Sequence, residues 1–337
     1  MLNKKKVSYL LTTLFCLWLF KRFLEGLVIS ELLAATYGAY YRWSWIALLL
    51  YFLCHVFRAY RWKLLLMHHN PTPSFGVLLV AEMSGLFTTT IVPRAGELVR
   101  CQLLKKKFNI PLSKGLASIV VERFSDMFFY VILFLAWFFM IGSRLEIPIL
   151  QKVKLYFATT SATKAGGYTL LFLLSKGVFA GFLYRAFKRN PHWSKGIRKG
   201  FRSFWKGVKL SRRAGFARIV GLTLIIWFTQ FLSVWALHQA FEETGALAWQ
   251  QVLSVFLVTD LGILIPVPGN VGGLHFILAH ALKQMAISPV IAASYAALFH
   301  LLHLALALVI GGMCAAKSSM WLSSTSKPAS PPTTEDV

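Results

Sequence analysis

Charged residues interrupt the apolar stretches of this chain in a pattern that could bind a phosphate group. The guanidinium group of arginine binds phosphate through two parallel hydrogen bonds, and neighbouring carboxylates can orient it. The pattern therefore predicts a site for a phosphate-bearing headgroup. It leaves open a structural alternative in which the charges only clasp helices together. The candidate residues are Arg58, Arg61, Arg94, Glu97, Arg100, Glu122, Arg123 and Asp126.

The stretch ERFSD (122–126) places two carboxylates on one face of a predicted helix. Glu122 and Asp126 are four residues apart, and Arg123 lies three residues before Asp126, so Arg123 can pair with Asp126. An acidic residue at the centre of a membrane helix costs about 2.5–3.5 kcal/mol on insertion scales. Both carboxylates should therefore face a partner or a cavity, and both are candidates for proton coupling.

A second polar motif, IPVPGNVGGLH, follows the apolar run that contains Asp260. Its prolines and glycines should break a helix. Further along, His300 and His303 have a spacing that suits two metal ligands, but no acidic third ligand accompanies them. Polar contacts between helices are therefore favoured, and we predict neither a metal nor a cofactor. The residues assigned to this motif are Asp260, Pro266, Pro268, Gly269, Asn270, Gly272, Gly273 and His275.

The composition indicates an all-α polytopic membrane protein. Of the 337 residues, 57% are hydrophobic and 14% are charged, against roughly 25% charged residues in soluble domains. Several apolar runs approach the ~20 residues that a spanning helix needs. The net charge of +24 lies mainly in the links between these runs, as in cytoplasmic loops. Since no recognised nucleic-acid-binding fold accompanies it, we exclude nucleic acid as a partner.

Charge counting predicts six full spans and two broken, re-entrant helical hairpins, with both chain termini in the cytoplasm. The basic links should face the cytoplasm, and the links at 30–42 and 241–246 should face the other side. Broken helices in corresponding places of two halves also suggest an inverted repeat around a transport site. The predicted spans are about 7–29, 43–58, 115–141, 168–184, 215–239 and 288–315, and the re-entrant segments are about 76–97 and 250–286.

A single transmembrane domain is predicted over residues 1–316, with a disordered tail over 317–337 that is rich in Pro, Ser and Thr. Residues 185–213 are basic with interleaved aromatic residues. Two interpretations remain open for them: an amphipathic segment on an anionic membrane surface, or an ordinary cytoplasmic loop.

Five motifs in order resemble the lysylphosphatidylglycerol synthase transmembrane-region family of flippase-like integral membrane proteins. They are RAYRWKLLL, PSFGVLL, GLFTTTIVPRAGELVR, ASIVVERFSDM and IPVPGNVGGLH, and the resemblance covers roughly residues 5–316. Family members often read PGGxG followed by a glutamate near the last motif. Here Asn270 replaces a glycine, and His275 takes the place of the acidic residue.

The resemblance implies binding or translocation of an anionic or glycosylated lipid, with membrane lipids as partners, in a prokaryotic inner membrane. The bifunctional relatives carry a soluble aminoacyl-transferase domain after the membrane part. This chain ends shortly after its last predicted span, so lysyl transfer is not expected. A lipid flippase without a nucleotide-binding motif is the leading hypothesis. The alternatives are a headgroup-modifying transferase and a non-catalytic partner of a cell-envelope lipid enzyme.

Overall fold

The computed structural model describes residues 18, 20–67, 72–140, 215–263, 269 and 271–324. Several sequence predictions fall outside these residues. They are most of the first span (7–29), the span at 168–184, the basic segment at 185–213, and the motif residues Pro266, Pro268 and Asn270.

All regular secondary structure in the described part is helical, which confirms the all-α prediction. We number the helices in chain order: α1 Ile29–Tyr37, α2 Tyr41–Leu66, α3 Phe75–Ile91, α4 Ala95–Phe108, α5 Leu112–Met140, α6 Phe216–His238, α7 Glu242–Gly245, α8 Trp249–Ile263, α9 Gly273–Lys283, α10 Pro289–Leu306 and α11 Gly312–Ser324. A π-helical turn over Ala307–Gly311 joins α10 to α11.

The chain divides into two compact units. One comprises residues 1–126 together with 212–337, and the other comprises residues 127–211. The described part of the second unit is the continuation of α5, where Tyr130, Phe134 and Trp137 stack in sequence along the helix. All the other helices that the structure describes belong to the first unit.

Three helices in the described part are long and apolar enough to cross a membrane: Tyr41–Leu66, Ala217–His238 and Pro289–Trp321. Large apolar side chains on them are exposed, as lipid contact requires; examples are Leu49, Phe228, Val309 and Met313. The number of full spans stays a prediction, because residues 141–214 lie outside the described part.

The first broken segment is a helical hairpin formed by α3 and α4, which we call hairpin 1. At 1.5 Å per residue, its arms of 17 and 14 residues are about 25 and 21 Å long, shorter than the ~30 Å hydrocarbon core. The chain reverses at Val92–Arg94, where Arg94 adopts the left-handed conformation with φ 65°. The predicted break is therefore confirmed, although the second arm continues to Phe108 rather than ending near residue 97.

Close approach of the two arms of hairpin 1 depends on two glycines. A Cβ on Gly96 would fall directly on the carbonyl oxygen of Gly85 and on Oγ1 of Thr89. Further along, Leu78 and Ala81 pack with Leu103, Leu104 and Ile110, and this cluster includes Trp62 and Leu66 of α2. Hairpin 1 is thus held against α2 by an apolar core.

The second broken segment is formed by α8 and α9, which we call hairpin 2. Its arms have 15 and 11 residues, about 22 and 16 Å, and they also pack on each other. Gly269 and Gly272 have positive φ angles of 63° and 87°. The order long helix, hairpin, long helix occurs twice among the described helices, and the inverted repeat stays a prediction.

Three boundaries predicted from sequence are wrong. The link at 30–42 contains the helix α1, and the span predicted at 43–58 extends over Tyr41–Leu66. The last helix continues to Ser324, past the predicted boundary at residue 316. In α2 the added turns carry Arg61 and Trp62, which are buried against other helices, so hydropathy did not mark these turns as part of the helix.

Candidate functional site

Arg100 of α4 is buried between two carboxylates from neighbouring helices. Its Nη2 donates to Oε2 of Glu122 at 2.8 Å, and its Nη1 lies 3.2 Å from Oε2 of Glu82. The Arg100 side chain is only 5% exposed. Its guanidinium carbon also sits 4.1 Å from the ring centroid of Trp62. Arg100 thus ties α4 to α2, α3 and α5 at one point.

Arg61 of α2 forms the second buried pair. Its Nη1 and Nη2 donate to the two carboxylate oxygens of Asp126 at 2.6 and 3.0 Å, the forked geometry that favours arginine over lysine. The Nη1 also donates to Oγ1 of Thr223 at 3.0 Å. Because Arg61 is 1% exposed, this contact connects α2, α5 and α6 away from solvent. We call Arg61, Arg100, Glu82, Glu122 and Asp126 the buried ion cluster.

Two further polar contacts extend the buried ion cluster along α2. Nδ1 of His55 lies 3.3 Å from Oε1 of Glu82, and Nε1 of Trp62 donates to Oγ of Ser118 at 2.9 Å. His55 and Glu82 were not among the predicted site residues. Glu82 could have been found from the sequence because it is an acidic residue within the apolar run FGVLLVAEMSGLF. His55 could have been found because it lies one helical turn before Arg58.

Three of the predicted site residues, Arg94, Glu97 and Arg123, lie outside the buried ion cluster, beside the break of hairpin 1. Nε of Arg123 donates to Oε1 of Glu97 at 3.1 Å, with side chains 53% and 36% exposed. Arg94 is exposed as well. Within the part of the chain that the structure describes, its side chain has no hydrogen bond or ion pair.

The pair between Arg123 and Asp126 that the spacing allows is not formed in the described structure. Asp126 is taken by Arg61, which approaches from another helix and can engage both carboxylate oxygens at once. Arg123 instead reaches across to Glu97 of α4. Spacing along one helix identified the neighbours of Asp126 on its own helix, but it could not show that α2 supplies a better partner.

Arg58 does not belong to the buried ion cluster. It takes part in a chain of two hydrogen bonds that connects three helices. Its Nη2 donates to Oε1 of Gln230 on α6 at 3.1 Å, and Nε2 of Gln230 donates to Oδ1 of Asp260 on α8 at 3.2 Å. The other carboxylate oxygen of Asp260 is buried and has no hydrogen-bond partner within the described ranges. Arg58 and Asp260, assigned to different motifs from sequence, thus meet through an amide that the sequence did not single out.

The histidines of the second half form ring contacts rather than a ligand set. The rings of His275 and His300 lie 4.6 Å apart, and the ring of His303 lies 3.9 Å from that of Tyr51. His300 also contacts the carbonyl oxygen of Gly269. Among the described residues, no group of three His, Cys, Asp or Glu side chains could hold a metal ion.

Comparison with known proteins agrees with this architecture. Two UPF0104 membrane proteins of Methanocaldococcus jannaschii are similar to the chain. MJ1595 is 23% identical over 277 residues, which is 79% of this chain and 82% of the relative. MJ1078 is 26% identical over 203 residues, which is 59% of this chain and 80% of the relative. No solved structure matches. The family model for the lysylphosphatidylglycerol synthase TM region matches residues 7–311, and the chain therefore belongs to that family of integral membrane proteins.

Proposed function

We propose that the protein moves an anionic, phosphate-bearing lipid between membrane leaflets, with the headgroup bound beside the break of hairpin 1. The proposal rests on the position of Arg94 and on its lack of a counter-charge among the described residues. Arg94 stands at the break in a left-handed conformation, is exposed, and has no carboxylate partner in the described part of the chain. An arginine without a counter-charge at membrane depth is costly, and a lipid phosphate would supply the missing negative charge.

Arg123 would serve as the second phosphate ligand. It is half-exposed, and among the described residues its ion-pair partner is Glu97, which is also partly exposed. Ion pairs of this kind contribute only about 0–1 kcal/mol, so a phosphate can displace the carboxylate at little cost. The acyl chains would stay in the bilayer while the headgroup passes along the polar edge of the hairpin.

The buried ion cluster has a different role in this proposal. Its members are closed off from a lipid headgroup by burial and are paired with each other. They hold hairpin 1 against α2 and α5, as the clasp alternative expected. Phosphate recognition is thus assigned to Arg94 and Arg123, and helix positioning to Arg61, Arg100, Glu122 and Asp126.

Arg94→Ala is expected to slow lipid movement by about tenfold or more while the protein still folds. The reason is the loss of a charge-assisted hydrogen bond, about 1.5–3 kcal/mol, with no buried contact removed. The measurement uses liposomes with fluorescent phosphatidylglycerol, whose outer-leaflet dye is quenched chemically. Mass spectrometry of the recovered lipid should show an unchanged mass, since a changed mass would indicate a transferase instead.

Arg218→Ala is the matched control, because Arg218 is also exposed but lies at the start of α6. It should move lipid at the wild-type rate, and Arg94→Lys should fall between wild type and Arg94→Ala because lysine keeps the charge but not the fork. Equal rates for wild type and Arg94→Ala, or no movement by wild type of any anionic lipid, would refute the proposal.

A further inference from the structure

The polar interior of the first unit contains more carboxylates than arginines. Arg58, Arg61 and Arg100 face Glu82, Glu122, Asp126 and Asp260. Glu82, Glu122 and Asp126 each lie within 3.2 Å of an arginine nitrogen. Asp260 is the carboxylate that no arginine contacts directly.

The contacts of Asp260 leave half of its carboxyl group unsatisfied. Oδ1 accepts one hydrogen bond from a neutral amide, Nε2 of Gln230, and Oδ2 is buried with no partner among the residues that the structure describes. A buried carboxylate that lacks a counter-charge in direct contact is so costly that the group takes up a proton or a cation. The geometry therefore requires a positive species at Oδ2 that the described part of the chain does not provide.

A proton fits this place better than a metal cation. Hard cations need several oxygen ligands, and the neighbouring oxygen of Gln230 is already committed to Nη2 of Arg58. The charged or titratable neighbours of Asp260 are Arg58 and Tyr51 from α2 and Asp126 from α5. Helix α6 contributes the neutral Gln230, and α9, which also packs on α8, contributes no charged neighbour in the described part.

Resting on the proposed function, we propose that Asp260 binds and releases the proton that couples lipid movement to a transmembrane proton gradient. Only the O–H bond at Oδ2 forms and breaks; the proton comes from water on one side and returns to water on the other. When Asp260 is neutral, Gln230 bridges it to Arg58. When Asp260 is charged, Arg58 is drawn from Gln230 toward the carboxylate, which shifts α2 against α8 of hairpin 2.

Glu122 and Asp126, the coupling candidates suggested by sequence, are less suited to this task. Each is engaged by an arginine at 2.8 Å or less, so proton uptake would first require that arginine to move away. His55 is the competing proton carrier, because its ring lies beside Glu82 and its Nε2 is buried without a partner. The experiment must therefore separate Asp260 from His55.

Asp260→Asn is the decisive variant, since asparagine resembles the neutral carboxyl group and can keep a hydrogen bond with Gln230. In proteoliposomes with fluorescent phosphatidylglycerol, an imposed pH gradient should raise the initial rate of wild-type lipid movement severalfold. Asp260→Asn should move lipid without a gradient and show no response to one. Glu31→Gln, a change of an exposed carboxylate in α1, and His55→Gln should both respond as wild type does.

Infrared difference spectroscopy of the purified protein gives a readout independent of transport. Wild type should show the carbonyl stretch of a protonated carboxyl group on acidification, and Asp260→Asn should lack it. If wild type moves lipid but ignores the gradient, if only His55→Gln loses the response, or if a sodium gradient replaces the proton gradient, this inference fails while the proposed function stands. If wild type moves no lipid yet the Asp260 band is present, the proposed function fails and the proton site remains.

Discussion

Arg100→Ala is expected to lower the free energy of unfolding by about 3–5 kcal/mol, because it leaves Glu82 and Glu122 buried without a positive partner. The substitution also removes the side-chain stem that passes Gly85 and the guanidinium over Trp62. We expect poor accumulation in the membrane and an early unfolding transition in detergent. Denaturant unfolding of the purified protein, monitored by tryptophan fluorescence, measures the loss.

A combined variant separates the contribution of charge from that of packing. Arg100→Met together with Glu82→Gln and Glu122→Gln removes the whole ionic group while keeping most of the volume, and such replacements of buried ion networks are often neutral. The triple variant should therefore be clearly more stable than Arg100→Met alone. If the two are equally unstable, lost packing rather than uncompensated charge explains the effect.

Arg123→Ala is the natural comparison for these variants. It breaks the partly exposed pair with Glu97, so its effect on stability should stay within about 1 kcal/mol. A loss as large as that of Arg100→Ala would contradict the division between a buried ion cluster and an accessible phosphate site.

Gly96→Ala is expected to separate the arms of hairpin 1 and to cost about 3 kcal/mol or more, beyond the usual range for overpacking. The added methyl group would meet the backbone carbonyl of Gly85 as well as the Thr89 side chain. Backbone cannot rotate away as a flexible side chain does, so the helices must move. Because Arg94 lies two residues before Gly96, lipid movement should be lost along with stability.

Gly76→Ala tests whether this effect belongs to the contact or to glycine in general. Gly76 lies in α3, the other arm of hairpin 1, and nothing lies within 4 Å of the place its Cβ would take. Alanine there should be neutral or stabilising by up to about 1 kcal/mol. Thermal unfolding in detergent compares the two variants; similar transition temperatures would show that the arms are not held by close backbone approach.

Much of the fold follows from one-dimensional properties of the sequence. Apolar runs predicted the helices, and Pro93, Gly96 and the glycines around 269–273 predicted where two of them break, since proline removes a backbone donor and glycine reaches positive φ. The boundaries were less certain. Helix α2 continues through Arg61 and Trp62 to Leu66, because these polar residues are buried against other helices rather than placed at a lipid surface.

The sequence by itself determined that this is an all-α membrane protein with charged residues held inside apolar segments, because hydropathy and helix-breaking residues act locally along the chain. Only the tertiary structure decided which of these charged side chains contact each other. Asp126 pairs with Arg61 rather than Arg123, Glu82 joins Arg100, and Arg58 reaches Asp260 through Gln230. Each of these partners comes from a different helix, and the choice among them depends on distance and fork geometry between helices, which spacing along one helix does not contain.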